Sequence, residues 1–412
     1  MVRRISEQAR RRTRVIGADR PALLDGAPEE HLALFDEVVP LDVQDATACR
    51  EWALATRPDV GAVLTIRETS VLAAAEVTQA LGLPGNAPEV VARVRTKDLC
   101  RQRLGEAGFP QPHSAVCRGL ADAERFLEAT GPGPWIVKPR AGLGSIGVSR
   151  IDHRGELAAA VDGLWGGLSP KASLPPASSF LIETYVTGEE YSAEGVVVGG
   201  VPHVLALTHK QITDGFLSTS QRVPSGLAPD VAADAEDTVA RALKALGVTH
   251  GIFHVELWLT PSGVVLGEFH VRTAGDYIHA LVEHTRPGLE LFGACVDDAL
   301  GRAPTPFPDP VGSARVEFLF APAGTLRAVH GWDELAGHPA VRIADLNVAP
   351  GDVVPAVKDA FTRSAVFVVG ADSPGDADAL ATGLASRVVF DARPAEPGGP
   401  MARDREGTWI RR

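Results

Sequence analysis

Two runs of β-forming residues, 252–259 and 264–271, flank a TPSG turn in the segment GIFHVELWLTPSGVVLGEFHVR and call for an antiparallel hairpin. Side chains alternate across a strand, so Glu268, His270 and Arg272 share one face of the second run while Val265, Phe269 and Val271 take the other. Pairing across the turn sets Glu256 close to opposite Glu268. Two carboxylates placed cross-strand repel unless positive charge sits between them. Mg²⁺ answers that need where a nucleoside triphosphate is also bound, because a hard dication takes carboxylate oxygens and bridges to phosphates. A water-facing sheet that carries acids by chance is the other reading of the same residues.

A chain of 412 residues exceeds one ordinary core, and two to three domains are expected. The net charge of -12 argues against nucleic acid as a partner, although MVRRISEQARRRTR opens the chain with six arginines. That opening lacks the apolar stretch of a secretory signal and reads as a lightly ordered arm. No apolar run is long enough to span a membrane. Cys49, Cys100, Cys117 and Cys295 have no metal-binding spacing, and a reducing cytoplasm is the simplest setting for them.

From Arg14 to about Pro84, short apolar runs (RVIGAD, DEVVPLD, VGAVLTI) alternate with helical stretches and predict a parallel α/β layer of Rossmann type. It lacks the Gly-x-Gly-x-x-Gly turn of a dinucleotide site. Glu68 follows the third run, either as an acid at the ligand-binding end of the sheet or as a plain helix N-terminal acid. Arg95 to Phe109 reads as an amphipathic helix, WIVKP as a strand, and Gly166 to Ser179 as a polar loop. FLIETYV and EEYSAEGVVV follow as strands, and Asp230 to Leu246 as a long helix. The proline-rich APTPFPDPVG marks a boundary before a smaller α+β module.

Lys138 ends the WIVKP strand just ahead of a loop containing Gly142, Gly144, Ser145 and Gly147. Glycines there let backbone N–H groups close on a polyphosphate while the lysine adds a point charge. The loop is not a Walker A motif, since no Gly-Lys-Ser/Thr ends it, and a flexible turn is its other reading. In FLIETYVTGEEYS, the strand end could offer backbone groups to an adenine ring, with Glu183 and Glu190 as candidates to accept from a ribose; an ordinary polar strand end is its other reading.

Taken in order, Lys97, Lys138 with its glycines, Glu183 with Glu190, and Glu256 with Glu268 and Arg272 resemble the ATP-grasp superfamily, which joins a carboxylate to a nucleophile through an acyl-phosphate. The likeness runs from about residue 90 to 300. LGLPGN, GEEYSAEG and RTAGD make it most similar to the branch of L-amino acid ligases and related carboxylate–amine ligases, with biotin carboxylase more distant. The resemblance implies an α/β and α+β protein: a Rossmann-like pre-ATP-grasp domain at 1–92, an ATP-grasp domain at 93–305 with a lid near 115–190, a C-terminal α+β domain at 306–395 and a flexible tail at 396–412.

Residue by residue, the resemblance implies that Lys97 and Lys138 hold ATP phosphates under a flap running from Gly142 to Gly147. It assigns Glu183 and the backbone of Tyr185 and Val186 to adenine, and Glu190 to the ribose. Glu256 and Glu268 become Mg²⁺ ligands, and Arg272 with the Gly275 amide stabilises the acyl-phosphate and tetrahedral intermediate. His270 stands where much of the superfamily has Asn; binding through water, a preference for Mn²⁺, or ordering of Glu268 are its open roles. His209 and Lys210, in a presumed lid loop THKQITDGF, are read either as a solvated turn or as contacts to phosphate or a substrate carboxylate. Asp276 is a candidate for a substrate amino group, and Tyr277 and His279 for the acceptor pocket.

The expected activity is ADP-forming amide-bond formation between small acids and amines, with ATP and Mg²⁺ and no nucleic-acid or membrane partner. A homodimer is a family expectation. A ligase or carboxylase tailoring a non-amino-acid substrate, and a nucleotide-binding protein that has lost turnover, are the alternatives.

Overall fold

The computed structural model describes residues 1–142, 144–164, 178–213, 216–303, 305–357, 360–394, 401–403 and 409–411. Most of the expected polar loop from Gly166 to Ser179, two residues of the presumed lid loop and most of the tail lie outside them. Of the tail, 401–403 and 409–411 pair as a short antiparallel ladder.

Near the N-terminus, β1 (Ile16–Asp19) and β2 (Glu37–Pro40) pair in parallel, as the alternating pattern predicts. The third run, VGAVLTI, joins no ladder among the described residues. Its apolar character is used in packing instead: Val63 joins Cys49, Ala53, Ala73 and Val77 in a small core between the helices Ala46–Thr56 and Val71–Leu81. Burial needs only apolar surface, whereas a strand also needs a partner in register.

The opening residues also depart from expectation. Val2–Arg10 is a helix, and Arg4, Arg10, Arg11, Arg12 and Arg14 each pair with a carboxylate. Arg12 reaches Asp297 at 2.7 Å, and the buried Gln8 accepts from the backbone N–H groups of Phe292 and Gly293 at 2.9 and 3.0 Å. Gln8 thereby satisfies donors that the helix Leu291–Ala299 leaves open at its N-terminus. A basic composition suggested a free arm; complementary acids in the 283–297 segment fasten it.

A four-stranded sheet comprises β3 (Ser114–Cys117), β4 (Trp135–Pro139), β5 (Ser149–Ile151) and β6 (Phe180–Thr184), in the order β3-β6-β4-β5. Helices Leu120–Thr130 and Leu157–Gly163 pack against it, with Phe126, Leu127 and Leu157 in one core with Trp135 of β4. Every residue of β4 is buried, which explains its uninterrupted WIVKP run.

The central sheet has eight strands. They are β7 (Glu189–Val198), β8 (Val201–Ile212), β9 (Ser218–Val223), β10 (Gly251–Thr260), β11 (Gly263–His270), β12 (Ser313–Leu319), and two later strands. Its order is β11-β10-β7-β8-β9-β12, followed by Ala365–Ala371 and Val341–Leu346. The helix Pro229–Leu246 starts with proline, ends at Gly247 in the left-handed region (φ 84°), and lays Val239, Leu243 and Leu246 on Phe253, Leu257 and Leu266. No helix among the described residues is long and apolar enough to cross a membrane.

The β10–β11 hairpin forms as expected, with an irregularity that sequence periodicity hides. His254 pairs with His270 and Val255 with Phe269, but Leu257 then pairs with Leu266, so the register shifts beside Glu256. Gly267 takes up the extra residue, and parity reverses across it: Val264 and Leu266, rather than Val265, join Phe269 in the core. A Cβ at Gly267 would lie 2.8 Å from the Trp258 ring and 2.9 Å from the Glu256 carbonyl oxygen. Gly267→Ala is expected to cost about 1–3 kcal/mol in chemical denaturation; an unchanged midpoint would mean that the bulge accepts a methyl group.

Candidate active site

Strand alternation brings one row of polar side chains from each of β7, β8, β10 and β11 to the same face of the sheet. On β7, Glu190, Ser192 and Glu194 fall two apart. Lys210 of β8 lies between Glu190 and Glu256, with its Nζ 2.7 Å from Glu256 Oε1 and in contact with Glu190. Burial alone would make Lys210 easier to deprotonate, but the two carboxylates outweigh it and hold the ammonium charged. Burial raises Glu190, which Lys210 offsets only in part; at Glu256 the same penalty is outweighed by Lys210 and His254, so that carboxyl stays ionised.

His254, on β10, accompanies this row. Its Nδ1 is 3.0 Å from both oxygens of the buried Glu194, and its Nε2 is 3.7 Å from Glu256 Oε1. Burial opposes protonation of the ring, yet Glu194 and then Glu256 raise its pKa to about 9.

On β11, Glu268 Oε2 lies 3.3 Å from Lys97 Nζ. His270 Nδ1 and Arg272 Nε meet the same oxygen of Glu68, Oε2, at 2.8 and 2.9 Å, and Arg95 Nε holds the other oxygen at 3.1 Å. Burial would raise the Glu68 pKa, but His270, Arg272 and Arg95 drive it far below the usual carboxylate range. Burial and then Arg272 push His270 down, which favours the neutral ring. Of the two readings of Glu68, the geometry supports a site acid: it lines a cleft with Arg95, Lys97, Gly142, Glu268 and His270.

Lys138 and Glu183 sit deeper. The Glu183 carboxylate takes Arg101 Nε and Nη2 at 2.6 and 3.1 Å and Lys138 Nζ at 2.5 Å, and all three side chains are almost completely buried. The side chain expected at adenine is thus paired with Lys138 and Arg101. Burial lowers the Lys138 pKa, opposed chiefly by Glu183. Beyond Glu183 the Tyr185 N–H donates to the Pro134 carbonyl at 3.0 Å, the guanidinium of Arg150 covers its ring, and the half-buried Val186 follows.

In the glycine-rich loop, Gly144, Ser145 and Gly147 all have positive φ (62°, 58° and 70°), a conformation that suits glycine. Ser145 Oγ donates to the Phe216 carbonyl at 3.3 Å, which ties this loop to the turn after β8. His209 and Lys210 belong to β8 itself and not to a lid loop. Being adjacent, they face opposite ways: His209 packs on the buried Tyr191 ring with centroids 5.4 Å apart, away from Glu190 and Glu256.

After Arg272, Gly275 leads into two non-glycine residues of positive φ, Asp276 (54°) and Tyr277 (62°). Asp276 is gripped by Arg363 and by Gln221 Nε2 at 3.0 Å, and Tyr277 donates to Asp345. The Arg363 guanidinium also lies 3.6 Å over the Phe318 ring. His279 is half-buried, and its Nδ1 has no hydrogen-bond partner.

Sequence reading overlooked Arg95, Arg101, Glu194, His254, Gln221 and Arg363. Arg101 follows Lys97 by one helical turn, and Glu194 and His254 keep the two-residue spacing of Glu190 and Glu256, so three of these carried a local signal. Arg363 is distant in sequence and carried none.

Two carboxylates on paired strands, lysines beside them, an arginine two residues beyond His270 and a glycine-rich loop across the cleft fit a phosphate and a hard divalent cation. Among the described residues, no three His, Cys, Asp or Glu side chains are preassembled around one point. Lys97 and Lys210 neutralise the acids instead.

Residues 132–280 match the ATP-grasp domain. Residues 317–393 match L-amino acid ligase C-terminal domain 2. An L-amino acid ligase from Bacillus licheniformis has a similar structure, with a TM-score of 0.79 and 23% identity over 94% of this chain and 95% of that one. Carnosine synthase 1 of Gallus gallus is 30% identical over 68% of this chain, which spans only 32% of that relative's length. The uncharacterized protein y4rH of Sinorhizobium fredii is 29% identical over 89% of this chain and 75% of its own.

The buried trio yields one prediction: Glu183→Ala, by leaving Arg101 and Lys138 without their counter-ion, should cost about 3–5 kcal/mol in denaturant unfolding. A loss within about 0.5 kcal/mol would show that the two cations find other partners. His254 yields another. Its folded pKa of about 9 exceeds the ordinary 6.5, so its contribution is complete below about pH 6.5 and is lost as pH rises through about 9. The difference in stability between wild type and His254→Gln should shrink over that interval; a difference independent of pH would contradict the charged ring.

Proposed function

We propose that the protein is an ATP-dependent ligase that joins the carboxylate of one amino acid, or a similar small acid, to the amine of another, releasing ADP and phosphate. The observation that carries this reading is the hairpin frame, in which Glu256 and Glu268 each face a lysine while Glu68 holds Arg272 beside them. The C-terminal match to the L-amino acid ligases and the likeness to carnosine synthase support amino-acid substrates.

In the first step a substrate carboxylate attacks the γ-phosphorus of ATP, which asks the protein for positioning and charge more than for covalent help. Lys97 and Lys138 supply positive charge, and the backbone from Gly142 to Gly147 closes over the phosphates. Glu256 and Glu268 would hold Mg²⁺, which when bound neutralises phosphate charge. Moving onto phosphate, Lys97 and Lys210 release the acids they now occupy. Tyr185 and Val186 border adenine, and Glu190 faces the ribose once Lys210 leaves it.

In the second step the amine attacks the acyl-phosphate carbon and charge builds on the carbonyl oxygen. Arg272, with the Gly275 N–H, receives that charge. Asp276 is the candidate anchor for a substrate ammonium, with Tyr277 beside it. Acyl-phosphates hydrolyse, so the contact between Ser145 and Phe216 suits a closed, water-poor site.

This reading assigns 1–92 as the pre-ATP-grasp unit, 93–305 as the ATP-grasp unit with a lid near 115–190, and 306–395 as the C-terminal unit. Four buried, unpaired cysteines support a cytoplasmic setting.

ADP and phosphate release should be stimulated by a pair from pooled unprotected amino acids, with a product mass equal to both minus water. ATP binding without stimulation by any pool would move the reading to a ligase of non-amino-acid substrates. Glu268→Gln should abolish turnover in a folded protein, and near-normal turnover would remove the metal assignment. Arg272→Met should raise the barrier by about 3 kcal/mol, a 10²–10³-fold loss in kcat; an effect on KM alone would place Arg272 in binding instead.

A further inference from the structure

Resting on the ligase reading of this cleft, we propose that His270 binds the divalent cation directly through Nε2, completing a mixed oxygen and nitrogen site with Glu268, and that Glu68 holds the ring in the tautomer this requires. A carboxylate only accepts hydrogen bonds, so the 2.8 Å contact between His270 Nδ1 and Glu68 Oε2 puts the ring proton on Nδ1. Arg272 Nη2 also approaches Nδ1, at 3.2 Å, but the shorter contact to an anion decides the tautomer. Glu68 is itself fixed from two other sides by Arg95 and Arg272. In the neutral ring, Nε2 then carries a lone pair.

His270 and Glu268 both line the cleft, and Nε2 stands 3.8 Å from Glu268 Oε2. That separation is too long for a hydrogen bond. Two metal–ligand bonds of roughly 2.1 Å span a nitrogen–oxygen distance between about 3 and 4 Å, depending on the angle at the metal. A carboxylate behind a histidine that points its other nitrogen at a cation is a recurrent way of orienting a ligand. His254 repeats the frame one strand away, with Glu194 behind it and Glu256 in front at 3.7 Å, and the two rings stack with centroids 5.6 Å apart. The stacked neighbour limits the rotation of His270.

The chemical consequence concerns metal choice. Imidazole nitrogen favours Mn²⁺ and later divalent ions over Mg²⁺, which prefers oxygen. Relative to a site of oxygen ligands alone, this one should discriminate toward Mn²⁺.

Pulsed electron paramagnetic resonance of Mn²⁺·ADP on uniformly ¹⁵N-labelled protein with unlabelled ADP tests the assignment. Coupling to ³¹P reports that the cation sits on the nucleotide phosphates, and ¹⁵N coupling of the size of a directly bonded nitrogen can come only from the protein. The expected result is both couplings in wild type, and ³¹P without that ¹⁵N coupling in His270→Asn. Calorimetry of the same variant should show Mn²⁺·ADP weakened about 10- to 100-fold and Mg²⁺·ADP much less affected. Coupling to ³¹P without directly bonded ¹⁵N in wild type overturns the inference and leaves the ligase reading standing. Nitrogen coupling that survives His270→Asn but is lost in His254→Asn also overturns it, in favour of the neighbouring ring. No binding of Mn²⁺·ADP in any form removes the ligase reading and this inference together.

Discussion

Charge neutrality inside the sheet is the constraint on which the rest of this structure depends. Glu190, Glu194, Glu256 and Glu268 approach one another on neighbouring strands of the central sheet, with Glu68 beside Arg272 and Glu183 on the four-stranded sheet, and burying that many carboxylates without partners would cost several kcal/mol for each. Each is met by a cation or a histidine: Arg101 and Lys138, Lys210, His254, Lys97, and the group of Arg95, His270 and Arg272. Replacing a buried ion pair with apolar residues is often neutral or stabilising, so economy of folding does not explain this row. Its use is preorganisation. On the ligase reading proposed above, a polyanionic nucleotide and its cation would exchange with lysines already in place, and no unpaired charge has to be buried beforehand.

The bulge at Gly267 shapes that row. Without the extra residue, strict alternation from Glu268 would carry Leu266 and Val264 onto the polar face and strip two side chains from the core beneath the helix Pro229–Leu246. With it, one short strand supplies Leu266 to the core and Glu268 and His270 to the cleft. The site therefore depends on a local backbone irregularity as much as on its charged groups.

How much of this was legible in the sequence depended on range. The hairpin, its two acids, Arg272 and Lys138 were readable because period-two alternation and turn chemistry act over a few residues. The parity of Val265 was not, since a bulge leaves the composition of a strand unchanged. VGAVLTI looked like a strand because packing and pairing call for the same apolar residues, and the opening helix looked like a free arm because its acids lie near residue 290. His209 and Lys210 were placed in a loop, although β8 runs on to Ile212 and sends the two side chains to opposite faces. The pairing of Glu183 with Lys138 and Arg101 was not legible, since Arg101 lies 82 residues away in sequence.

Arg363 carries a consequence for evolution and engineering. It lies within 317–393, the stretch similar to the L-amino acid ligase C-terminal domain, yet its guanidinium grips Asp276, which lies within the ATP-grasp match. Asp276 has a positive φ beside Gly275, so its backbone geometry and its salt bridge are set by different parts of the chain. Exchanging either region alone with a relative would separate Asp276 from Arg363. A functional chimera would have to carry Asp276 and Arg363 as one heritable unit, with the domain seam drawn around the pair and not between them.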